Sequence, residues 1–76
     1  MPKGRILPLA PLERILKKAG AKRVSKKGAE AFAKVLEEYV FELSQEAAKL
    51  AEHAGRKTIL ERDVRLAKRR IAEKFA

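Results

Sequence analysis

The chain contains 76 residues, enough for a single domain. Lys and Arg number 19 against 10 Asp and Glu, and the resulting formal net charge of +9 predicts a polyanionic partner, either nucleic acid or an anionic membrane surface. An apolar fraction of 46% excludes a disordered basic tail, and the lack of cysteine excludes a disulfide framework and a thiolate metal site.

The chain begins with a basic segment, residues 1–8, in which Pro and Gly favour an extended arm. Apolar residues then recur at steps of three and four over about residues 9–19, which predicts a short first helix. Pro11 suits its first turn, where no N–H is needed, and Gly20 is the expected C-cap.

A much longer helix is predicted over residues 26–54. Ser25 is a suitable N-cap, the segment contains no Pro, and its only glycine, Gly28, falls in the first turn. Gly55 is the expected end. A helix of this length spans roughly 43 Å at 1.5 Å per residue.

A third helix is predicted from about residue 60 to residue 72 or beyond, after a connector over residues 56–59. Thr58 followed by Glu61 matches a capping box, a pattern that marks the start of a helix.

The predicted fold class is therefore all-α, with a short, a long and a short helix. Two short helices cover only part of the long one, so its remaining apolar length requires a second copy, and an intertwined homodimer with crossing long helices is the favoured solution. A simple coiled coil is the alternative. The flanking helices and an apolar stripe wider than an a/d seam disfavour it.

An enzyme is not expected. The chain has one histidine (His53), no cysteine and no Gly-rich phosphate loop, and its carboxylates are scattered over helix faces. We expect no cofactor, no metal site and no small-molecule substrate.

The placement of charge points to DNA phosphates. Lys26 and Lys27 occupy the first turn of the long helix, where cations oppose the helix dipole. Each connector combines a helix start, a hydroxyl and cations, which is the arrangement that binds phosphate. The residues are Lys22, Arg23 and Ser25 in the first, and Arg56, Lys57 and Thr58 in the second. With no Asn and a single Gln, readout of bases is not expected.

Three segments, LPLAPLERILKKAGAKRVS, KVLEEY and EAAKLAEHAGRKTI, followed by Asp63 and Arg69-Arg70, closely resemble the archaeal histones over about residues 7–70. The resemblance implies a histone fold over residues 9–76 and an obligate head-to-tail homodimer. It also implies a chromosome-associated cytoplasmic protein that wraps and compacts double-stranded DNA through helix-one N-termini and paired loops. Dimers are expected to assemble along DNA into nucleosome-like polymers, and other histone paralogues are possible partners.

Specific roles follow from the same resemblance. Arg14, Arg23, Lys57 and Thr58 match DNA contacts, and Lys17 is a phosphate neighbour; with the cations and hydroxyl above, the predicted DNA-binding set is Arg14, Lys17, Arg23, Ser25, Lys26, Lys27, Lys57 and Thr58. Arg56 and Asp63 match a pair that ties the second loop to helix three. The positions where two dimers meet correspond to Leu50, His53 and Asp63, and Gly20 matches a position that lets dimers stack.

The chain also departs from the family pattern. Lys26 and Lys27 replace residues that are often acidic, and Phe41 replaces a residue that is often charged, so Phe41 is either exposed or in a non-standard contact.

Two other functions fit the charge or the fold less well. A histone-fold subunit of a heterodimeric protein-interaction or transcription complex needs no DNA-facing loop cations. A cationic peptide at membranes is disfavoured by the glutamates at the centre of the long helix, and no apolar run approaches the roughly 20 residues of a membrane span.

Overall fold

The computed structural model describes residues 6–74, which form three helices: α1 (Leu9–Lys18), α2 (Lys26–His53) and α3 (Glu61–Lys74). This order confirms the predicted all-α class and the short, long, short arrangement. The predicted bounds differ from these by one or two residues at the helix ends, where helices fray. Most of the predicted arm, residues 1–5, and the last two residues of the chain lie outside the described range.

The chain divides into two compact units, Met1–Tyr39 and Val40–Ala76. The first contains α1, the first connector and the beginning of α2; the second contains the end of α2, the second connector and α3. Within residues 6–74, none of the helices is both long enough and apolar enough to span a membrane.

Both connectors begin with the same turn. After α1, the N–H of Gly20 donates to the carbonyl of Lys17 and the N–H of Ala21 to that of Leu16, both at 3.1 Å. After α2, Gly55 and Arg56 repeat the pattern, each with a distance of 2.9 Å. This is the Schellman motif, which needs a left-handed residue. Gly20 (φ +117°) and Gly55 (φ +74°) provide it, confirming both predicted helix ends.

The start of α2 is capped as the sequence predicts. The Oγ of Ser25 accepts a hydrogen bond from the N–H of Gly28 at 2.9 Å, so one of the first unpaired N–H groups of the helix is satisfied. A Cβ on Gly28 would lie 3.0 Å from this Oγ. Glycine therefore weakens the helix intrinsically but leaves room for the cap.

The start of α3 differs from the prediction. The helix begins at Glu61, so its N-cap is Leu60 and Thr58 lies outside the helix; the predicted Thr58–Glu61 capping box is wrong. Instead, the Oδ2 of Asp63 accepts a hydrogen bond from the N–H of Leu60 at 2.7 Å. Asp63 is the third helical residue and reaches back to the N-cap backbone, which is one of the two hydrogen bonds of a capping box; Leu60 has no hydroxyl to make the other.

Asp63 also holds the second connector. The guanidinium of Arg56 binds both carboxylate oxygens, at 2.9 and 3.0 Å, and donates to the carbonyl of Thr58 at 2.8 Å. Asp63 is only 4% exposed. The hydrogen bonds from Arg56 and from the N–H of Leu60 lower the pKa of Asp63 to about 2, and the nearby charge of Arg62 adds to the effect. The pKa of Arg56 is raised by the same partner.

The buried apolar residues are mostly small. Five of the seven in the described range are alanines, and no large side chain there is fully buried. The seven are Leu12, Ala29, Ala33, Ala47, Ala51, Ala67 and Ile71. A core of alanine methyl groups removes little apolar surface from water, so it stabilises the isolated chain weakly.

Large apolar side chains are exposed instead. Eleven of them in residues 6–74 are at least 40% exposed. They are Ile6, Ile15, Phe32, Val35, Tyr39, Val40, Phe41, Ile59, Leu60, Val64 and Leu66. Such an extent of exposed apolar surface is typical of a chain that buries it against another chain.

We predict that Ser25→Ala lowers the free energy of unfolding by about 1 kcal/mol, because the N–H of Gly28 loses its cap. Chemical unfolding followed by circular dichroism measures the change. Ser44→Ala, at an exposed position within α2, is the matched control and should cost nothing. Equal stability of the two variants would contradict the capping role.

The Arg56–Asp63 pair predicts a pH dependence of stability. Because the pKa of Asp63 falls from 3.8 to about 2 on folding, its contribution is complete above its ordinary pKa and disappears as the pH falls toward 2. Thermal unfolding between neutral pH and pH 2 should therefore show a larger acid loss for the native protein than for Asp63→Asn. Glu61→Gln, which removes an exposed acid from the same turn, should behave like the native protein; if it instead flattened the profile as much as Asp63→Asn, the assignment would fail.

Candidate nucleic-acid interface

The first unit gathers several of the predicted DNA-binding residues around one depression. Lys17 at the end of α1 and Arg23 and Ser25 in the first connector line it, together with Lys22. Glu13 and Val24 complete the lining. The turn at Gly20 returns the chain toward the end of α1, so cations from the helix and from the connector share one surface. Their combined charge makes the depression suited to phosphate.

Ser25 has a structural role as well as a predicted DNA-binding one. Its Oγ accepts the cap hydrogen bond from Gly28, which leaves the hydroxyl proton to donate to another group. A Ser at this position therefore caps the helix and can bind a phosphate oxygen at the same time.

The first turn of α2 extends the basic surface. Lys26 and Lys27 are exposed, and this turn contains no acidic residue. The two backbone N–H groups that precede Gly28 in the helix have no intrahelical partner. Positive side chains at the positive end of a helix dipole cost stability but favour a bound anion.

The start of α1 offers similar chemistry. Its N-cap is Pro8, which makes no side-chain cap, and its first turn has no acidic residue. Arg14 is exposed one turn before Lys17, on the same face of the helix. That the N-terminus of helix one faces DNA stays a prediction.

The second unit contains the other predicted contacts, Lys57 and Thr58, and both are exposed. The guanidinium of Arg56 holds the backbone at Thr58 through its carbonyl, and Asp63 holds the guanidinium. The pair therefore positions the loop that carries the two residues, as predicted for Arg56 and Asp63. The Nε of Arg56 is buried without a hydrogen-bond partner in the described part of the chain.

The residues predicted to join dimers lie in the second unit. Leu50 is half-buried, and His53 is exposed beside Lys49 and Glu52. Asp63 is buried, and its Oδ2 already accepts two hydrogen bonds, whereas Oδ1 accepts one. A carboxylate oxygen accepts two, so Oδ1 retains one acceptor position.

Gly20 and Phe41 have predicted roles other than DNA binding. A Cβ on Gly20 would meet nothing within 4 Å, so its positive φ, not lack of space within the chain, requires glycine here. Phe41 is 43% exposed in the isolated chain, the first of the two expectations for it.

Two residues of this region are absent from the predicted set. Lys22 lines the depression beside Arg23, and its position in the first connector is the signal that could have placed it in the set. Glu37 accepts hydrogen bonds from the backbone N–H groups of Ile6 and Leu7, the latter at 3.0 Å, and so ties the end of the arm to α2. A partner about thirty residues away leaves no periodic signal in a single sequence.

Within residues 6–74, no three His, Asp or Glu side chains lie close enough together to hold a metal ion.

Comparison with known proteins agrees with this basic, helical architecture. The family described as "Histone-like transcription factor (CBF/NF-Y) and archaeal histone" matches residues 5–67. One of the archaeal histone HAN1 subunits, from Thermococcus zilligii, is 54% identical over 61 residues, covering 80% of this chain and 91% of that protein. Probable archaeal histone 3 of Methanocaldococcus jannaschii is 51% identical over 63 residues, covering 83% and 94%.

The match covers α1, α2, both connectors and the first half of α3, including the basic residues gathered in the first unit and the Arg56–Asp63 pair in the second. The chain therefore belongs to the archaeal histone family, the structural DNA-binding proteins of archaeal chromatin.

Proposed function

We propose that this histone acts as a homodimer that wraps and compacts double-stranded DNA with little sequence specificity. The observation that carries the proposal is the clustering of Lys17, Lys22 and Arg23 around one depression, next to the acid-free first turn of α2. Residues 9–76 form the histone-fold domain, residues 1–8 form the arm, and the protein works on the chromosome in the cytoplasm.

Exposed apolar surface supports the homodimer. Phe32, Val35 and Tyr39 on α2 are each at least 40% exposed, and the buried positions of the same helix are alanines. Full burial of one large apolar side chain contributes roughly 1.5–3 kcal/mol. Because these side chains are already about half-buried, a second copy that covers each of them adds about half of that, and the contributions of several add together. A homodimer requires no other gene product, although histone paralogues with the same surface are possible partners.

Contacts to phosphate support binding without sequence specificity. The proposed DNA-binding residues are Arg, Lys, Ser and Thr near helix starts, which bind phosphate oxygens and read no base edges. In the first unit they are Arg14, Lys17, Arg23, Ser25, Lys26 and Lys27, and in the second they are Lys57 and Thr58. Neither the structure nor the two relatives favour the alternative of a transcription complex.

Three residues of the second unit, Leu50, His53 and Asp63, support an end-to-end association of dimers. Leu50 supplies an apolar contact, and His53 can donate to the remaining acceptor position on Asp63 of the neighbouring dimer. A two-fold contact at each end of a dimer gives an open polymer along DNA, because nothing closes it. Gly20, which carries no side chain at the first connector, permits close stacking of successive dimers.

We predict that Arg23→Ala weakens binding to duplex DNA and lowers the slope of log affinity against log salt by roughly 0.9, the effect of one lost phosphate contact. Fluorescence anisotropy with two unrelated duplexes measures both quantities. The melting temperature without DNA should not change, because Arg23 is exposed.

Lys34→Ala is the matched control for Arg23→Ala, since Lys34 is an exposed cation in the same unit and outside the proposed interface. Equal losses in the two variants would show that only net charge matters and would overturn the assignment of Arg23.

We predict that Leu50→Glu leaves DNA binding by single dimers intact but removes the longer fragments that nuclease digestion protects. A carboxylate at Leu50 cannot be desolvated at an apolar contact without a large cost. Gln45→Glu adds the same charge at an exposed position of α2 and should keep the full ladder of protected lengths. A ladder unchanged in the folded Leu50→Glu protein would place the dimer–dimer contact elsewhere.

A further inference from the structure

The outer face of α3 carries a stripe of arginines that the proposed DNA interface does not use. Arg62, Arg65 and Arg69 follow one another at steps of three and four residues, so they lie on one face of the helix. The buried residues of α3, Asp63, Ala67 and Ile71, lie on the nearly opposite face. We call these three exposed side chains the arginine stripe.

The charge of the stripe is only weakly neutralised within the second unit. Arg65 pairs with Glu61 one turn away, but both side chains are more than 70% exposed, and an ion pair of this kind contributes little. In the described part of the chain, Arg62 and Arg69 make no hydrogen bond or ion pair. Of the two acids that flank Arg62 in the sequence, Glu61 pairs with Arg65, and Asp63 is buried and bound by Arg56.

The neighbouring Arg70, unlike the stripe arginines, pairs with an acidic residue of another helix. It points away from the stripe by helical periodicity and pairs with Glu46 of α2 at 2.9 Å, so its role is structural. The stripe arginines have no such role, because their side chains are exposed and α3 is packed through its other face. The positive charge of the stripe is therefore available to bind an anionic partner outside the chain.

The chemistry of the stripe fits a phosphodiester backbone. From Arg62 to Arg69 the helix rises by about 10 Å, over which a duplex presents several phosphate charges. Arginine binds phosphate through a planar fork of donors, which a lysine lacks. Three such side chains in a row match a line of phosphates.

We propose that the arginine stripe binds the backbone of a second DNA segment, so that the protein bridges two duplexes as well as wrapping one. The inference rests on the proposed function, in which the first duplex is held by the connectors and the start of α1. Within the second unit, the stripe extends away from Lys57 and Thr58, because it runs along α3 toward its end and Arg69 lies about 12 Å beyond the start of that helix.

The test compares two double variants that lose the same charge. Arg62→Gln with Arg69→Gln removes the two stripe residues that lack an ion pair; Lys34→Gln with Lys68→Gln removes two exposed cations outside the stripe. Bridging is measured as the capture of a fluorescent duplex by beads that carry a second, immobilised duplex. Anisotropy in the same buffer gives the affinity for a single duplex, and thermal unfolding checks that each variant is folded.

We expect the stripe variant to capture much less of the second duplex than the control variant, with equal affinity for a single duplex. The slope of log affinity for the second duplex against log salt should become shallower by roughly 0.9 for each arginine removed. Equal capture by the two variants would overturn the proposal, and so would a parallel loss of single-duplex affinity, which would make the stripe part of the wrapping surface.

Two further outcomes are informative. If the stripe variant self-associates less than the native protein without DNA, the stripe binds an acidic surface of another copy, and the proposal is wrong. Native protein that binds one duplex and captures no second duplex overturns the bridging inference alone, whereas native protein that binds no duplex overturns the proposed function.

Discussion

The length of α2 is the constraint on which most of this structure depends. Its 28 residues span about 42 Å, and the positions that it buries within the chain are alanines. Small buried residues keep helices close but remove little apolar area from water, so the larger side chains of the same helix are left for another chain. The stability of this histone is therefore expected to rise with protein concentration, as for other chains that complete their core by dimerisation.

The connectors combine two tasks in a few residues. Each begins with a Schellman turn at a glycine and ends at a helix cap, Ser25 for α2 and Asp63 acting on Leu60 for α3. These hydrogen bonds define the backbone without using the side chains of Lys22, Arg23, Lys57 or the hydroxyl of Thr58. The cations are thus positioned by a rigid loop and remain available for phosphate, which reduces the entropy lost on binding.

The charges at the helix starts favour stability in α3 and anion binding in α1 and α2. Acids belong at helix starts, and α3 follows this rule with Glu61 and Asp63 in its first turn. α1 and α2 have no acid there, and α2 has two lysines instead. The arginine stripe of α3 follows the same logic on a helix face, since its one ion pair, Arg65 with Glu61, is highly exposed and contributes little to folding. A polyanion bound at the acid-free helix starts or at the stripe would be attracted by the positive charge that is left unneutralised there.

Much of this organisation could be predicted from the sequence. Apolar periodicity determined three helices and their order, the two glycines determined both C-terminal turns, and Ser25 determined the start of α2, because all of these depend on interactions within a few residues. The same local reasoning failed for α3: Thr58 and Glu61 have the spacing of a capping box, but the helix begins at Glu61, and Asp63 accepts the hydrogen bond from the N-cap backbone at Leu60. Only the tertiary structure decided that Asp63 is buried with its pKa near 2, that Lys22 shares a depression with Lys17, and that Glu37 holds Ile6 and Leu7. Each of these depends on packing between residues separated in the chain, and a periodic pattern in one sequence carries no information about which separated residues meet.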